Sequence, residues 1–282
     1  MNIIRLRKML ASFYEEDIGE RDVTSETIFP IEERGTGVFI AKENGVFSGE
    51  QIIRTAYSLF SNDIHVTLHK HDGDIIKKKD TIATVEGPMQ YLLTAERVIL
   101  NLIQRMSGIA TMTKRAVEAL GESKTKICDT RKTTPGLRML EKYAVTCGGG
   151  VNHRFGLYDG VMIKDNHIEF AGSITKAVDT VKQKLGHMIK VEVEIETEKE
   201  LEEAISSKAD IIMFDNCTPE QATYFQTKVP NEITTELSGG ISITTLPDYK
   251  NTGVGYISIG ALTHSVKALD ISFNVKGGKK DE

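Results

Sequence analysis

The chain has 282 residues, enough for one large domain or two smaller ones with a buried core. Its apolar content of 40% and charged content of 27% are ordinary for a globular protein, and its net charge of −5 argues against a general nucleic-acid-binding protein. Three cysteines without a CxxC pair argue against a disulfide framework or a structural zinc site. No apolar run reaches membrane-spanning length and the start lacks a secretory signal, so we expect a cytoplasmic protein that does not bind membranes.

The first part of the chain, to about residue 93, mixes short strands with turns. A helix is predicted near Glu50–Phe60, and Asn44-Gly45 predicts a hairpin between the first two strands. The predicted strands are Gly37–Ala41, Val46–Ser48, Ile64–His69 and Thr81–Glu86. The turns within His71–Pro88 are also typical of lipoyl-carrier domains, but no lysine stands at a hairpin tip, so we favour a small α+β layer.

A long amphipathic helix is predicted next, because apolar residues recur at three- and four-residue spacing from Leu93 to Leu120. Gly108 lies within this pattern and predicts an interruption. This helix is expected to link the first part of the chain to the second.

Strands and helices alternate after residue 125, which predicts a parallel sheet with crossover helices. The predicted strands are Lys126–Thr130, Val161–Asp165, Ile189–Ile195, Asp210–Asp215, Glu232–Leu237 and Gly255–Gly260. The predicted helices are Leu137–Cys147, Ile174–Leu185 with Ser173 as N-cap, Glu198–Ser207, Pro219–Thr227 and a segment near Ile243–Asn251. An open doubly wound sheet and a barrel fit this rhythm equally well.

The positions of the polar residues favour the barrel, because each predicted strand ends in polar or glycine residues. In a (β/α) barrel these ends form one face, which carries the active site. The ends contain Thr130, Arg131, Lys132, Lys164, Glu194, Asp215 and the glycines of two loops. Glu192, Glu194 and Glu196 alternate along one strand and share a face, so spacing alone does not select one of them.

Two glycine-bearing loops follow consecutive late strands, Ser238-Gly239-Gly240 and Gly260-Ala261. Glycine lets backbone N–H groups approach a phosphate, and phosphate sites in such barrels use the loops after the last strands. The segment from Asp129 to His167 adds a basic island with six Lys or Arg residues against four acidic ones. Together these features predict a site for an anionic, phosphate-containing ligand.

The string DTRKTTPGLRMLEKYAVTCGGGVNHRFGLYDGVMIKDNH closely resembles the quinolinate phosphoribosyltransferase family, also called carboxylating nicotinate-nucleotide pyrophosphorylases. The resemblance extends to TAERVILNLIQRMSGIAT, MFDN, SGGIS and GALTHSVKALDIS, and so covers most of the chain. It implies an N-terminal α/β sandwich joined to an incomplete, TIM-like (β/α) barrel, the type II phosphoribosyltransferase fold. We accordingly place the sandwich at residues 1–110, the barrel at 111–269, and a return to the sandwich at about 270–282.

The resemblance also implies a reaction. Quinolinate and phosphoribosyl pyrophosphate would give nicotinate mononucleotide, pyrophosphate and CO2 in NAD biosynthesis, with Mg²⁺ as cofactor. Family members work as homodimers with shared active sites, so we expect a dimer and allow for a higher assembly such as a hexamer.

Site roles follow from the resemblance position by position. Lys164, His153, Glu194 and Asp215 are the expected catalytic residues, with Lys164 and His153 as candidate general acids. Mg²⁺ would be held mainly by substrate phosphates, with Glu194 and Asp215 as further ligands. The expected substrate-binding residues are Arg97 (reaching into the partner subunit's site), Thr130, Arg131, Lys132, His153, Arg154, Lys164, Glu194, Asp215, Ser238, Gly239, Gly240, Ile259, Gly260, Ala261 and His264.

One residue departs from the family pattern. The early motif usually reads DIG-x-GD-x-T, whereas Arg21 stands here in place of the second glycine, which puts the geometry of that turn in doubt. Alternatives to the main assignment are a related protein of molybdate-transport operons, a transferase that uses nicotinate without decarboxylation, and an inactive ligand-binding barrel that acts as a sensor.

Overall fold

The computed structural model describes residues 1–276 and divides the chain into two compact units. The first unit contains residues 1–112, 139–149 and the segment from Val266 onwards; the second contains residues 113–138 and 150–265. The predicted division at 110/111 and 269/270 differs from this one mainly at residues 139–149. These residues pack with the first unit through an ion pair between Arg105 and Glu141 and a hydrogen bond from Tyr143 to Asp72.

The first unit is built on a four-stranded antiparallel sheet in the order β12-β1-β5-β3. Its strands are β1 (Arg34–Ala41), β2 (Gly45–Val46), β3 (His65–Leu68), β4 (Ile75–Ile76), β5 (Thr81–Pro88) and β12 (Ile271–Lys276). Its helices are α1 (Ile3–Ile18), α2 (Ser25–Ile28), α3 (Glu50–Tyr57), α4 (Met89–Thr94), α5 (Glu96–Leu120, which continues into the second unit) and α6 (Arg138–Cys147). Phe39 of β1 packs against Phe273 of β12, with ring centroids 4.8 Å apart, and anchors the last strand in the core.

The predicted hairpin at Asn44-Gly45 is wrong. β1 pairs with β5 and β12, while β2 pairs with β4 in a separate two-stranded ladder. The Asn44 side chain accepts a hydrogen bond from the backbone of Lys78, and a Cβ at Gly45 would lie 2.6 Å from Thr111 Oγ1. The dipeptide therefore serves side-chain capping and close packing, which local turn statistics do not distinguish from a hairpin.

The long helix α5 runs without interruption through Gly108, contrary to prediction. A Cβ at Gly108 would lie 2.3 Å from the backbone carbonyl oxygen of Lys267. This glycine therefore serves a close backbone approach rather than a helix break. At the early motif, Gly19 has a φ of +58° but Arg21 does not have a positive φ, so the arginine introduces no backbone strain there.

The second unit is a six-stranded parallel sheet in the order β6-β11-β10-β9-β8-β7. All six predicted strands are present, as β6 (Lys126–Cys128), β7 (Val161–Ile163), β8 (Val191–Ile195), β9 (Ile211–Asp215), β10 (Thr234–Ser238) and β11 (Tyr256–Ser258). The helices are α7 (Asp165–Ala171), α8 (Ile174–Lys184), α9 (Glu198–Ser206), α10 (Pro219–Lys228) and α11 (Ala261–His264). Within the described residues the edge strands β6 and β7 do not pair with each other, so the barrel is incomplete.

Helix starts in the second unit follow local sequence signals. Ser173 caps α8 by accepting a hydrogen bond from Lys176 N, as predicted, and capping boxes start α9 and α10. The segment near Ile243–Asn251 contains only a 3-10 turn, Leu246–Tyr249. Helix α7 was not predicted, because it buries none of its residues and so has no apolar periodicity. Over residues 1–276, no helix is both long enough and apolar enough to cross a membrane.

Candidate active site

The interior of the parallel sheet is arranged in layers. The strand register sets Glu192 beside Ile211 in the first layer, and Glu194, Met213 and Glu236 side by side in the second. Paired residues of parallel strands point to the same face, so these side chains project into the same interior. A third layer, at the carboxyl ends of the strands, contains Asp215 beside Ser238.

A cavity of about 440 Å³ opens at the carboxyl ends of the strands and is named here the rim cavity. It is lined by Arg131, Lys132, His153, Arg154 and Lys164, five basic side chains predicted for the site. It is also lined by Thr130, Glu194, Asp215, Ser238, Gly239 and Gly240. The rim cavity is thus lined by residues more than a hundred positions apart in the chain, as expected if the strand ends share one face. The rim cavity suits an anionic ligand.

The acidic side chains at the rim each have a donor as partner. Lys164 donates to the Glu194 carboxylate, and Asp215 Oδ2 accepts a hydrogen bond from Asn216 at 2.7 Å. Burial, and then the neighbouring cation of Arg131, lower the pKa of Arg154. Two guanidinium groups held this close together favour a ligand with more than one negative charge.

The loop that carries His153 and Arg154 is held by two carboxylates, one buried and one exposed. Asp129 is fully buried and accepts hydrogen bonds from the Asn152 side chain at 2.6 Å and from the backbone of His153 at 2.9 Å. Asp159 accepts from the backbones of Phe155 and Gly156, while the Arg154 guanidinium donates to the carbonyl of Gly160 at 2.8 Å. The basic side chains are therefore held in place before a ligand arrives.

The Ser238-Gly239-Gly240 loop has the backbone that the sequence suggested for a phosphate loop. Gly239 has a φ of +92°, and a Cβ there would lie 2.3 Å from Asn216 Oδ1. Gly240 has a φ of +64°, and a Cβ there would meet no atom within 4 Å. Gly239 is thus enclosed by protein, whereas Gly240 faces open space at the rim.

The second predicted phosphate loop, Ile259-Gly260-Ala261, lies next to Lys132. Ile259 is buried, and its backbone N–H donates to the carbonyl of Cys128. A Cβ at Gly260 would lie 2.8 Å from Cδ of Lys132, and Thr263 donates to the backbone carbonyl of Lys132 at 2.8 Å. Ile259, Gly260, Ala261 and His264 are not among the residues that line the rim cavity.

Arg97, predicted to act in a partner's site, lies on α5 in the first unit. Its side chain is 60% exposed, with Nη2 3.9 Å from Glu96 Oε1. An arginine in this setting keeps its charge available to a ligand.

Beneath the rim cavity, His153 lies between two buried glutamates. His153 Nε2 is 3.0 Å from Glu192 Oε2 and 3.6 Å from Glu236 Oε1. Glu192 and Glu236 are 3% and 5% exposed, and neither Oε1 atom has a hydrogen-bond partner among the described residues. We call these three side chains the floor cluster.

The floor cluster has the residue types of a metal site, and its ligand atoms lie within 4.8 Å of one another. The histidine tautomer argues against a metal there. His153 Nδ1 accepts a hydrogen bond from the backbone N–H of Arg154 at 2.8 Å, so the ring proton of a neutral histidine is on Nε2. A metal bound at Nε2 would require that proton on Nδ1, where it would face another donor.

A second cavity, of about 350 Å³, lies at the amino ends of the strands and is named here the base cavity. Val161, Ile211, Thr234 and Tyr256, the first residues of four strands, line it. His153, Arg154 and Glu236 line both cavities. These three side chains therefore form the partition between the two openings.

Comparison with known proteins identifies the family. Residues 22–107 match the N-terminal domain model of quinolinate phosphoribosyl transferase, and residues 109–274 match its C-terminal domain model. The chain belongs to the quinolinate phosphoribosyltransferase family. The barrel and sandwich expected from that resemblance correspond to the two sheets described above.

Relatives cover almost the whole chain. It is 56% identical over 275 residues to a probable nicotinate-nucleotide pyrophosphorylase [carboxylating] of Bacillus subtilis, covering 98% of this chain and 95% of the relative. It is 39% identical to the mitochondrial quinolinate phosphoribosyltransferase [decarboxylating] 2b of Nicotiana tabacum, covering 96% and 82%. The crystal structure of NadC from Streptococcus pyogenes superimposes with a TM-score of 0.94 at 39% identity, covering 98% and 97%.

Some residues of the rim cavity were not predicted from sequence. Met162, Met213, Asn216, Glu236 and Ser258 also line the rim cavity. Glu236 could have been found, because it precedes the predicted Ser238 by two positions and so shares its face of β10. The methionines carry no comparable signal, since an apolar residue in a strand is ordinarily core.

Proposed function

We propose that this chain transfers the phosphoribosyl group of phosphoribosyl pyrophosphate to quinolinate. The products are nicotinate mononucleotide, pyrophosphate and CO2, and the reaction supplies NAD biosynthesis. The observation that carries the proposal is the convergence of five basic side chains on one rim, in a chain of the quinolinate phosphoribosyltransferase family.

Quinolinate is a dianion, and the rim offers cations of two shapes. Arg131 and Arg154 present planar donors that bind carboxylates in pairs, and Lys132 and Lys164 add point charges. Met162 and Met213 line the same cavity and offer apolar surface to the pyridine ring. In this proposal Arg97 reaches the site from a neighbouring subunit, so the working enzyme is a homodimer. We also place this enzyme in the cytoplasm.

The phosphoribosyl end lies against the glycine loops. Gly240 leaves open space in which a phosphate can approach the backbone, and Ser238 adds a hydroxyl. In this proposal the loop from Ile259 to Ala261, with His264, also holds the phosphate. Gly260 and Thr263 contact Lys132 and so set where that cation meets the phosphate.

Magnesium fits the carboxylates of the rim. Glu194 and Asp215 supply hard oxygen donors, and each commits one oxygen to a neighbour, Lys164 or Asn216. Glu194 and Asp215 would hold the ion together with the substrate phosphates, and the ion would supply positive charge that stabilises the leaving group. Lys164 would pair with Glu194 in the free enzyme and bind the substrate once the substrate is present.

Catalysis in this proposal is mainly positioning and electrostatics. Departure of pyrophosphate leaves positive charge on the ribose, which Glu194 and Asp215 steady. Attack by the pyridine nitrogen makes that nitrogen cationic, and the C2 carboxylate then leaves as CO2 because the cation stabilises the electron pair left on C2. The guanidinium groups keep the two carboxylates oriented throughout.

The experiment supplies quinolinate labelled in its 2-carboxyl group, phosphoribosyl pyrophosphate and Mg²⁺, and measures labelled CO2 and nicotinate mononucleotide. The expected result is equal release of both, dependent on all three components. Turnover of nicotinate without CO2 would overturn the proposal in favour of a non-decarboxylating transferase. Binding of quinolinate without turnover would overturn it in favour of a sensor.

A further inference from the structure

Glu236 has no part in the reaction as described so far, although it lines both the rim cavity and the base cavity. It lies on β10 in the same layer as Glu194, is 5% exposed, and its Oε1 has no hydrogen-bond partner among the described residues. A buried carboxyl group with an oxygen that accepts no hydrogen bond is costly to ionise. A dianionic ligand bound in the rim cavity adds to that cost.

Within the floor cluster, the hydrogen bonds of His153 are directed to groups other than Glu236. Its Nδ1 accepts the backbone N–H of Arg154 at 2.8 Å, and its Nε2 lies 3.0 Å from Glu192 Oε2 but 3.6 Å from Glu236 Oε1. Glu192 is therefore the closer carboxyl partner of the His153 ring, and Glu236 has only the longer contact. Burial and then the charge of Glu192 raise the pKa of Glu236 to about 7.

Decarboxylation creates a need for such a group. When CO2 leaves, its bonding electron pair stays on C2 of the pyridinium ring, and C2 must then gain a proton to give the product. Lys164 is paired with Glu194, and both ring nitrogens of His153 are engaged, with Arg154 N and Glu192. Glu236 is the neutral acid that remains in the wall of the cavity.

We propose that Glu236 is a further catalytic residue, the carboxylic acid that protonates C2 after CO2 has left, and that the base cavity returns its proton. The proposal rests on the decarboxylating transfer proposed above. In the step, the Glu236 O–H bond breaks, the C2 electron pair forms the C–H bond, and Glu236 is left as a carboxylate beneath the pyridinium cation. That opposite charge favours the transfer.

The two cavities explain how the acid is restored. While the substrates fill the rim cavity, Glu236 is still reached from the base cavity, whose volume of about 350 Å³ admits water. A water molecule there returns a proton to the carboxylate, so that each turnover takes one proton from solvent. This matches the overall reaction, in which a carboxylate is replaced by hydrogen.

The test compares wild type with Glu236→Gln, which keeps shape and burial but has no acidic proton, and with Glu16→Gln, the same change at an exposed glutamate of α1 outside the site. Each protein turns over quinolinate in an equal mixture of H2O and D2O. Mass spectrometry then gives the fraction of nicotinate mononucleotide that carries deuterium at C2, and labelled CO2 is measured alongside. Glu236→Asp, which retains a carboxylic acid, guards against a Gln variant that fails to fold.

The expected result is a deuterium fraction that changes in Glu236→Gln but equals the wild-type value in Glu16→Gln and Glu236→Asp. We also expect kcat of Glu236→Gln to fall about a hundredfold while KM for quinolinate stays within about threefold. A deuterium fraction that is the same in all the variants that turn over, or that changes to the same extent in Glu16→Gln, would overturn the inference. Wild-type enzyme that released no CO2 would instead refute the proposed function, so the two failures are distinguishable.

Discussion

The rim of the parallel sheet and the floor beneath it both carry charged side chains, but in opposite settings. At the rim, Lys164 is 44% exposed and is paired with Glu194. In the floor cluster, Glu192 and Glu236 are almost fully buried on either side of His153. Exposed, paired charges can exchange partners with a ligand at little cost, whereas buried carboxyls change their protonation state instead. The comparison separates binding, at the rim, from proton transfer, at the floor.

The largest expected effect comes from breaking the rim. Arg131→Ala should weaken quinolinate binding at least about a hundredfold, because it removes a planar, charge-assisted contact and leaves a carboxylate unpaired. Calorimetric titration with quinolinate measures this, with Arg115→Ala, an exposed arginine of α5, as the matched control. Near-wild-type affinity of Arg131→Ala for quinolinate would contradict the proposal that the rim binds this ligand.

A second prediction extends the rim to a partner subunit. Arg97→Ala and Lys164→Ala homodimers should both be inactive, whereas a heterodimer of the two has one unaltered site and regains about half of the wild-type activity per dimer. Differently tagged subunits, purified through both tags, provide the heterodimer for the CO2 assay. Purified heterodimers without activity would place Arg97 outside the shared site.

The floor has a pH signature of its own. Burial of Glu236 and the charge of Glu192 raise its pKa to about 7. The charge of Asp129 also raises this pKa, whereas His153 lowers it. A raised carboxyl pKa gives stability that is complete at acid pH and lost as the pH rises through about 7. Glu236→Gln has no carboxyl group to ionise and so lacks this loss of stability, which is on the order of 3 kcal/mol. The Tm of Glu236→Gln minus the Tm of wild type should therefore increase from pH 5 to pH 8. Glu16→Gln, at an exposed glutamate, is the control, and a constant difference in Tm would contradict a neutral floor acid.

The smallest effect distinguishes two adjacent glycines of the rim. Gly239→Ala should lower the free energy of unfolding by about 2 kcal/mol or more, because both φ and contact with Asn216 oppose a Cβ. Gly240→Ala, with a positive φ but open space, should cost about 1 kcal/mol. Urea unfolding measures both. Equal losses in the free energy of unfolding would show that the enclosure of Gly239 does not affect stability.

The rim was predictable from sequence, and the floor was not. Six strands with polar ends, together with the rule that such ends share one face, were enough to bring Arg131, Lys164, Glu194 and Asp215 together. Alternation placed Glu192 and Glu194 on one face, but it did not show that one would be buried against a histidine from a loop. That contact depends on how Asp129 fixes residues 152 and 153, which is a long-range packing outcome.

The fold shows the same division between local and long-range signals. Ser173 as a cap could be identified locally, because its hydrogen bond spans three residues. Gly45 and Gly108 were misinterpreted because their reasons lie in Thr111 and Lys267, which are distant in the sequence. The affiliation of residues 139–149 with the first unit depends in the same way on Arg105 and Asp72.

A crystal structure of the enzyme with quinolinate bound tests the separation of rim and floor most directly. The account predicts both carboxylates at the rim, in contact with Arg131 and Arg154, and ring atom C2 facing the Glu236 carboxyl. Quinolinate bound with C2 turned away from Glu236, or held without Arg131, would contradict it.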